Sequence, residues 1–129
     1  MNRAFLDTHV ALWLAIGGGD ISAAAIRAIE SFGSRSISAL SFVELQLKAD
    51  KGARLPNNIV DRFMSVGIQI ENFDVHAAGN FSRFGALRGT DPFDRMLLAQ
   101  AATVPGTVFF TADERLLALG FDWIVDARG

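Results

Sequence analysis

Phe5-Leu6-Asp7-Thr8-His9 is a short apolar run that stops on a carboxylate. Asn2 to Leu6 has the pattern of a buried strand, and Val10 to Ile16 continues as a mostly apolar helix beginning near Thr8, so the chain opens on a βα unit. An acid directly after a buried strand is poorly placed for solvation and needs a positive partner. No Lys or Arg follows nearby. A cation shared with carboxylates from later in the chain is the remaining way to hold Asp7 there.

Outward from this unit, strand-like and helical patterns alternate. Gly17-Gly18-Gly19-Asp20 breaks the first helix; it lacks the Gly-Lys-Ser/Thr ending of a phosphate loop and is assigned a linker role. Ser22 caps a helix to Phe32 that is expected on the surface, and Arg35 to Ser38 is a second strand. Ala39 to Lys51 is a helix with Leu40, Val43 and Leu47 on one face. A further helix runs from about Asn58 to Val66, and Ile68 to Phe73 alternates weakly as a third strand. Asp74 caps a helix to about Phe84, and residues 83–90 have the look of an exposed connection. Asp91-Pro92 opens a helix to Ala102, with proline at the first helical position. Val108 to Thr111 is a strand, Asp113 to Leu119 a short helix, and Trp123 to Val125 the last strand. The alternation predicts a three-layer α/β/α fold in one domain over residues 1–129. Its centre is a mostly parallel sheet of four to five strands with helices on both faces.

The bulk properties narrow the chemistry. Of 129 residues half are hydrophobic, enough for a sizeable core, yet the longest apolar run, Val10 to Ile16, is far too short to span a membrane. Asp7 interrupts the start too early for a signal peptide, and a cytoplasmic location is expected. With no cysteine, disulfides, thiolate zinc sites and cysteine nucleophiles are all excluded. A net charge of −2 is not that of a strongly basic nucleic-acid binder. An acidic site that takes up divalent ions nevertheless reverses its own local charge, and a few arginines can then reach phosphates.

In doubly wound sheets ligands bind beyond the carboxyl ends of the strands. Asp7 and Asp113 both follow predicted strands, Glu44 lies near the start of the helix after the second strand, and Asp94 lies in the first turn of the Asp91-Pro92 helix. All four can converge on one edge, where crowded carboxylates are relieved by protonation or by a cation; oxygen ligands favour Mg²⁺ or Mn²⁺. Taken singly, Ser41 with Glu44, Asp91 with Asp94, and Thr111 with Glu114 each fit a capped first turn. Asp7 has no such clear capping pattern. His9 and His76 have no ligand-spaced partner, and Trp13, Phe81, Phe84 and Phe93 fit core positions better than base-stacking ones. Arg83, Arg88 and Arg95 surround the Asp94 region within reach of a phosphodiester backbone.

Four stretches in this order resemble the PIN-domain family, and specifically its VapC-type ribonuclease toxins of toxin–antitoxin pairs. They are residues 5–13, Ser41-Phe42-Val43-Glu44-Leu45, Asp91 to Ala101, and Phe110-Thr111-Ala112-Asp113. The resemblance spans essentially the whole chain. It implies Asp7, Glu44, Asp94 and Asp113 as catalytic metal ligands for Mg²⁺ or Mn²⁺, with Asp91 as an additional acid. Thr8, Thr111, Arg88 and Arg95 are then expected at the substrate or orienting a ligand. Relatives often carry a basic pair before the Asp-Pro, where this chain has Gly89-Thr90 with Arg88 one step back. The resemblance further implies an RNA substrate, a cognate VapB-type antitoxin and a homodimer. The competing expectations are a catalytically silent PIN-like binding protein whose acids are caps, and a receiver-like phosphoacceptor, for which no lysine follows a late strand.

Overall fold

The computed structural model describes residues 2–129. Among them, five strands form one sheet: β1 (Arg3–Leu6), β2 (Ser34–Ser38), β3 (Gln69–Glu71), β4 (Thr107–Thr111) and β5 (Ile124–Asp126). Every neighbouring pair is parallel and the spatial order is β3-β2-β1-β4-β5, so the expected mostly parallel sheet is wholly parallel. The helices are α1 (Thr8–Ile16), α2 (Ala23–Glu30), α3 (Leu40–Asp50), α4 (Ile59–Ser65), α5 (Val75–Gly79), α6 (Pro92–Ala101) and α7 (Glu114–Leu117).

The period-two geometry of the central strands sorts their side chains into two cores. Ala4 and Leu6 of β1, with Phe110 of β4, pack beneath Val10, Ala11, Ile29, Leu45 and Phe63 of α1 to α4. Phe5 and Phe109 point the other way, stacked at 6.1 Å, and pack with Leu97 and Leu98 of α6 and Leu116 of α7. This is the three-layer arrangement that the alternating pattern predicts. Buried Arg3 bonds Glu71, the Thr107 hydroxyl at 3.0 Å and the Ala101 carbonyl at 2.9 Å. One guanidinium thus ties β1 to β3, to β4 and to the carbonyl end of α6, where a cation complements the helix dipole.

The helix over Ser22 to Phe32 lies at the surface as expected, anchored by buried Ala25 and Ile29. Other local expectations change. In α3 the buried residues are Ser41, Glu44 and Leu45, whereas Val43 and Leu47 stand about half exposed. Residues 83–90 are not simply an exposed connection. The helix begun by Asp74 stops at Gly79, and Phe81–Leu87 forms a 3₁₀ segment kinked at Phe84. The kink turns Phe84 into an aromatic cluster with Phe121 and Trp123, and burial of that ring outweighs continued helical hydrogen bonding.

Candidate active site

The strand order reverses at β1, whose chain successor β2 lies on one side and β4 on the other. A crevice opens beyond the carboxyl ends of β1 and β4, and the residues that terminate these strands face it. Asp7, Glu44, Asp91, Asp94 and Asp113 line one pocket there, with a volume of about 350 Å³. They reach it from four parts of the fold. Asp7 follows β1, Glu44 comes from α3, Asp91 and Asp94 from the start of α6, and Asp113 from the turn between β4 and α7.

Asp7 is held from two sides. Its Oδ1 accepts the Thr8 amide at 2.8 Å, so Asp7 caps α1 after all, and its Oδ2 accepts the Thr111 hydroxyl at 2.6 Å. The Thr111 oxygen in turn accepts the Asp113 amide at 3.0 Å. Burial pushes the Asp7 carboxyl above its ordinary range against these hydrogen bonds, and Glu44 adds repulsion. Glu44 accepts the Thr8 hydroxyl at 2.6 Å, and Ser41 bonds that hydroxyl at 2.8 Å. The Ser41–Glu44 capping box is therefore not formed; Ser38 accepts the Leu40 amide instead. Nor do Thr111 and Glu114 form one, since Asp113 caps α7 by accepting the Arg115 amide at 2.8 Å. Asp91 caps α6 through the Phe93 amide, as its proline neighbour suggests.

Asp94 makes no capping bond among the described residues. Its carboxyl is pushed up to about 7, first by burial, then by the charges of Asp7, Asp113 and Asp91, with Arg115 opposing. For Asp113 burial acts upward too, but hydrogen bonds from the Arg115 side chain and amide win and hold it low. Arg115 bridges the two acids, at 3.2 Å from Asp94 and 3.1 Å from Asp113, and Lys48 stands 3.7 Å from Glu44.

Of the expected substrate contacts, Thr8 and Thr111 are fully buried and hold Glu44 and Asp7 instead of facing solvent. Arg95 bonds the Phe81 carbonyl and lies 3.9 Å over the Phe81 ring, and neither it nor Arg88 lines the pocket. The basic side chains that do are Lys48 and Arg115, joined on the wall by His9 and Trp13. Sequence spacing carried a signal for all four. Lys48 follows Glu44 by four residues and Trp13 follows His9 by four, one helix face each, while Arg115 sits two beyond Asp113.

An all-oxygen set suits a hard divalent ion, and Asp94 is pushed up first by burial and then by its acidic neighbours. Among the described residues no three acids or histidines stand in a ready ligating arrangement; Arg115, Thr8 and Thr111 bond oxygens of Asp94, Glu44 and Asp7. The donor chemistry, carboxylate oxygens throughout, is of the kind hard divalent ions take.

An all-parallel sheet with a carboxylate pocket at its switch crevice defines the class as an α/β protein with an acidic site at the strand ends. The PIN domain family model matches residues 4–122, and the chain belongs to that family. PIN domains are in general nucleases, and they generally use divalent metals. Among solved structures, the chain is similar to DNA-bound VapBC from Salmonella typhimurium, with a TM-score of 0.66 and 20% identity over 98% of this chain and 97% of that one. It is similar to a toxin–antitoxin complex from Klebsiella pneumoniae, with a TM-score of 0.64, 20% identity and 95% coverage of each chain. VapBC2 from Rickettsia felis, bound to a fragment of its promoter, gives a TM-score of 0.64 at 11% identity and 96% coverage of each. At these identities the likeness concerns the fold. No curated protein matches the chain.

Proposed function

We propose that the protein is the toxin of a toxin–antitoxin pair, an endoribonuclease that hydrolyses phosphodiester bonds with Mg²⁺ or Mn²⁺. The observation that carries this is the convergence of Asp7, Glu44, Asp94 and Asp113 on one pocket, with Asp94 raised by burial and then by its acidic neighbours. The similar structures are toxin–antitoxin assemblies, which supports the pairing with a VapB-type antitoxin. A homodimer and an RNA substrate belong to the same proposal.

Asp7, with Asp94, Glu44 and Asp113, would hold the ion, and Asp91 borders it. When bound, the ion supplies Lewis-acid polarisation of the phosphate and an activated water. The chain's own work is positioning. Thr111 fixes Asp7, Thr8 fixes Glu44, and Arg115, once released from Asp94, is a mobile cation at the pocket for phosphate oxygens.

The test is cleavage of single-stranded RNA by the purified protein with Mg²⁺, with Mn²⁺ and with chelator. Asp7→Asn should abolish metal-dependent cleavage while the metal-free fold stays as stable or gains stability. Asparagine caps a helix as well as aspartate does, and a buried charge is removed. RNA left intact by the wild type under every metal condition would favour the silent binding protein.

A further inference from the structure

We infer that Trp13 and His9, on the wall of the acidic pocket, form a subsite for a nucleobase next to the cleaved phosphodiester, with the Gly19 backbone packed against the Trp13 ring. The inference rests on the nuclease function proposed above and adds to it which part of the substrate the protein grips.

The glycine tract is more than a linker. Gly17, Gly18 and Gly19 have φ values of +81°, +85° and +70°, three successive residues in the region that side chains disfavour. At Gly19 there is a second constraint, because a Cβ there would lie 2.2 Å from Trp13 Cδ2. Gly19 therefore lays bare backbone directly against the indole, while Gly17 and Gly18 stand clear of it. A ring backed in this way loses little freedom on stacking, which keeps the ordering cost of binding small.

The pocket side of Trp13 is furnished for a nucleotide. His9 lies one turn before it on α1, exposed, with ring centroids 6.5 Å apart and planes tilted by 51°. The two rings form an open corner instead of covering each other. His9 Nε2 lies 2.9 Å from Lys48 Nζ, which also pairs with Glu44 at 3.7 Å, so a cation already engaged with the acidic site stands at the same corner. Trp13, His9 and Lys48 line the pocket together with the carboxylates. Aromatic surface, a cation and the acids thus occur in the order of base, phosphate and scissile bond. Stacking on aromatic side chains tolerates any base, since every base offers a π face.

The experiment is a fluorescence titration of Trp123→Phe, which leaves Trp13 as the sole indole of the chain's two. The probes are AMP and ribose 5-phosphate, in Mg²⁺. The expected result is quenching by AMP at a concentration roughly tenfold or more below that needed for ribose 5-phosphate. Gly19→Val, which drives a side chain into the ring, should erase that preference while Mg²⁺ still raises the melting temperature. If Trp123→Phe does not fold, the fluorescence difference between the wild type and Trp13→Leu gives the same measurement. Equal binding of the two probes, or an AMP preference that survives both Gly19→Val and Trp13→Leu, would overturn the subsite. Cleavage of a short single-stranded RNA by wild-type protein is measured alongside. A base preference without cleavage supports the subsite and counts against the nuclease, whereas cleavage without a base preference overturns the subsite alone.

Discussion

Asp94 carries the charge imbalance of the site, and its pH behaviour is the most direct way to observe it. A carboxyl at 3.8 in the unfolded chain and at about 7 in the fold binds its proton more tightly when folded. The native state then holds more protons than the unfolded state between those values, so the metal-free protein loses stability as pH rises from about 4 to about 7. Thermal melts in chelator across that window should show the decline, and Asp94→Asn should flatten it and raise the melting temperature at neutral pH. Thr111→Val should destabilise the fold by about 2 kcal/mol, since a buried carboxylate loses a hydroxyl donor. The same variant should weaken Mn²⁺ binding in calorimetry, because Asp7 is no longer aimed. The acids themselves were legible in the sequence because each ends a strand or opens a helix, where position alone fixes direction. For Arg115, Lys48 and His9 spacing placed the residue beside the site but not its partner, because long or exposed side chains choose partners by proximity in the fold. Thr8 and Thr111 were read as contacting substrate or orienting a ligand, and both hydroxyls turn inward to the carboxylates of Glu44 and Asp7.

At the scale of elements, α3 divides its labour. Ser41, Glu44 and Leu45 face inward, while Val43 and Leu47 leave apolar surface about half exposed. The proposed antitoxin is the partner that would cover it. Leu47→Glu should leave denaturant stability within about 0.5 kcal/mol of wild type, as exposed positions usually do. It should sharply reduce retention of a co-expressed antitoxin on a tagged toxin; undiminished retention would free this face from that role. Capping residues marked the starts of α2, α5 and α6 well, since Ser22, Asp74 and Asp91 all accept amide protons as their spacing suggests. Residues 81–87 were misjudged for a reason of longer range. Phe84 is drawn to Phe121 and Trp123, and no local pattern announces an attraction exerted from the far end of the chain.

For the molecule as a whole, a divalent ion that binds only the folded chain must raise its stability by mass action. Mn²⁺ added to chelator-treated protein should raise the melting temperature in a saturable way, by roughly 2.7 kcal/mol of stability at a hundredfold excess over its dissociation constant. The effect should vanish in Asp7→Asn. The hydrogen bond from Thr111 to Asp7 has a consequence of its own, for it joins residues 104 apart. No amino-terminal fragment that stops short of β4 can assemble the carboxylate pocket, however well β1, β2 and β3 pair. A parallel sheet of such long-range contacts also forms slowly. On a translating ribosome the growing polypeptide would stay harmless until nearly all of it had emerged, leaving an interval in which an inhibitor made first could already be waiting.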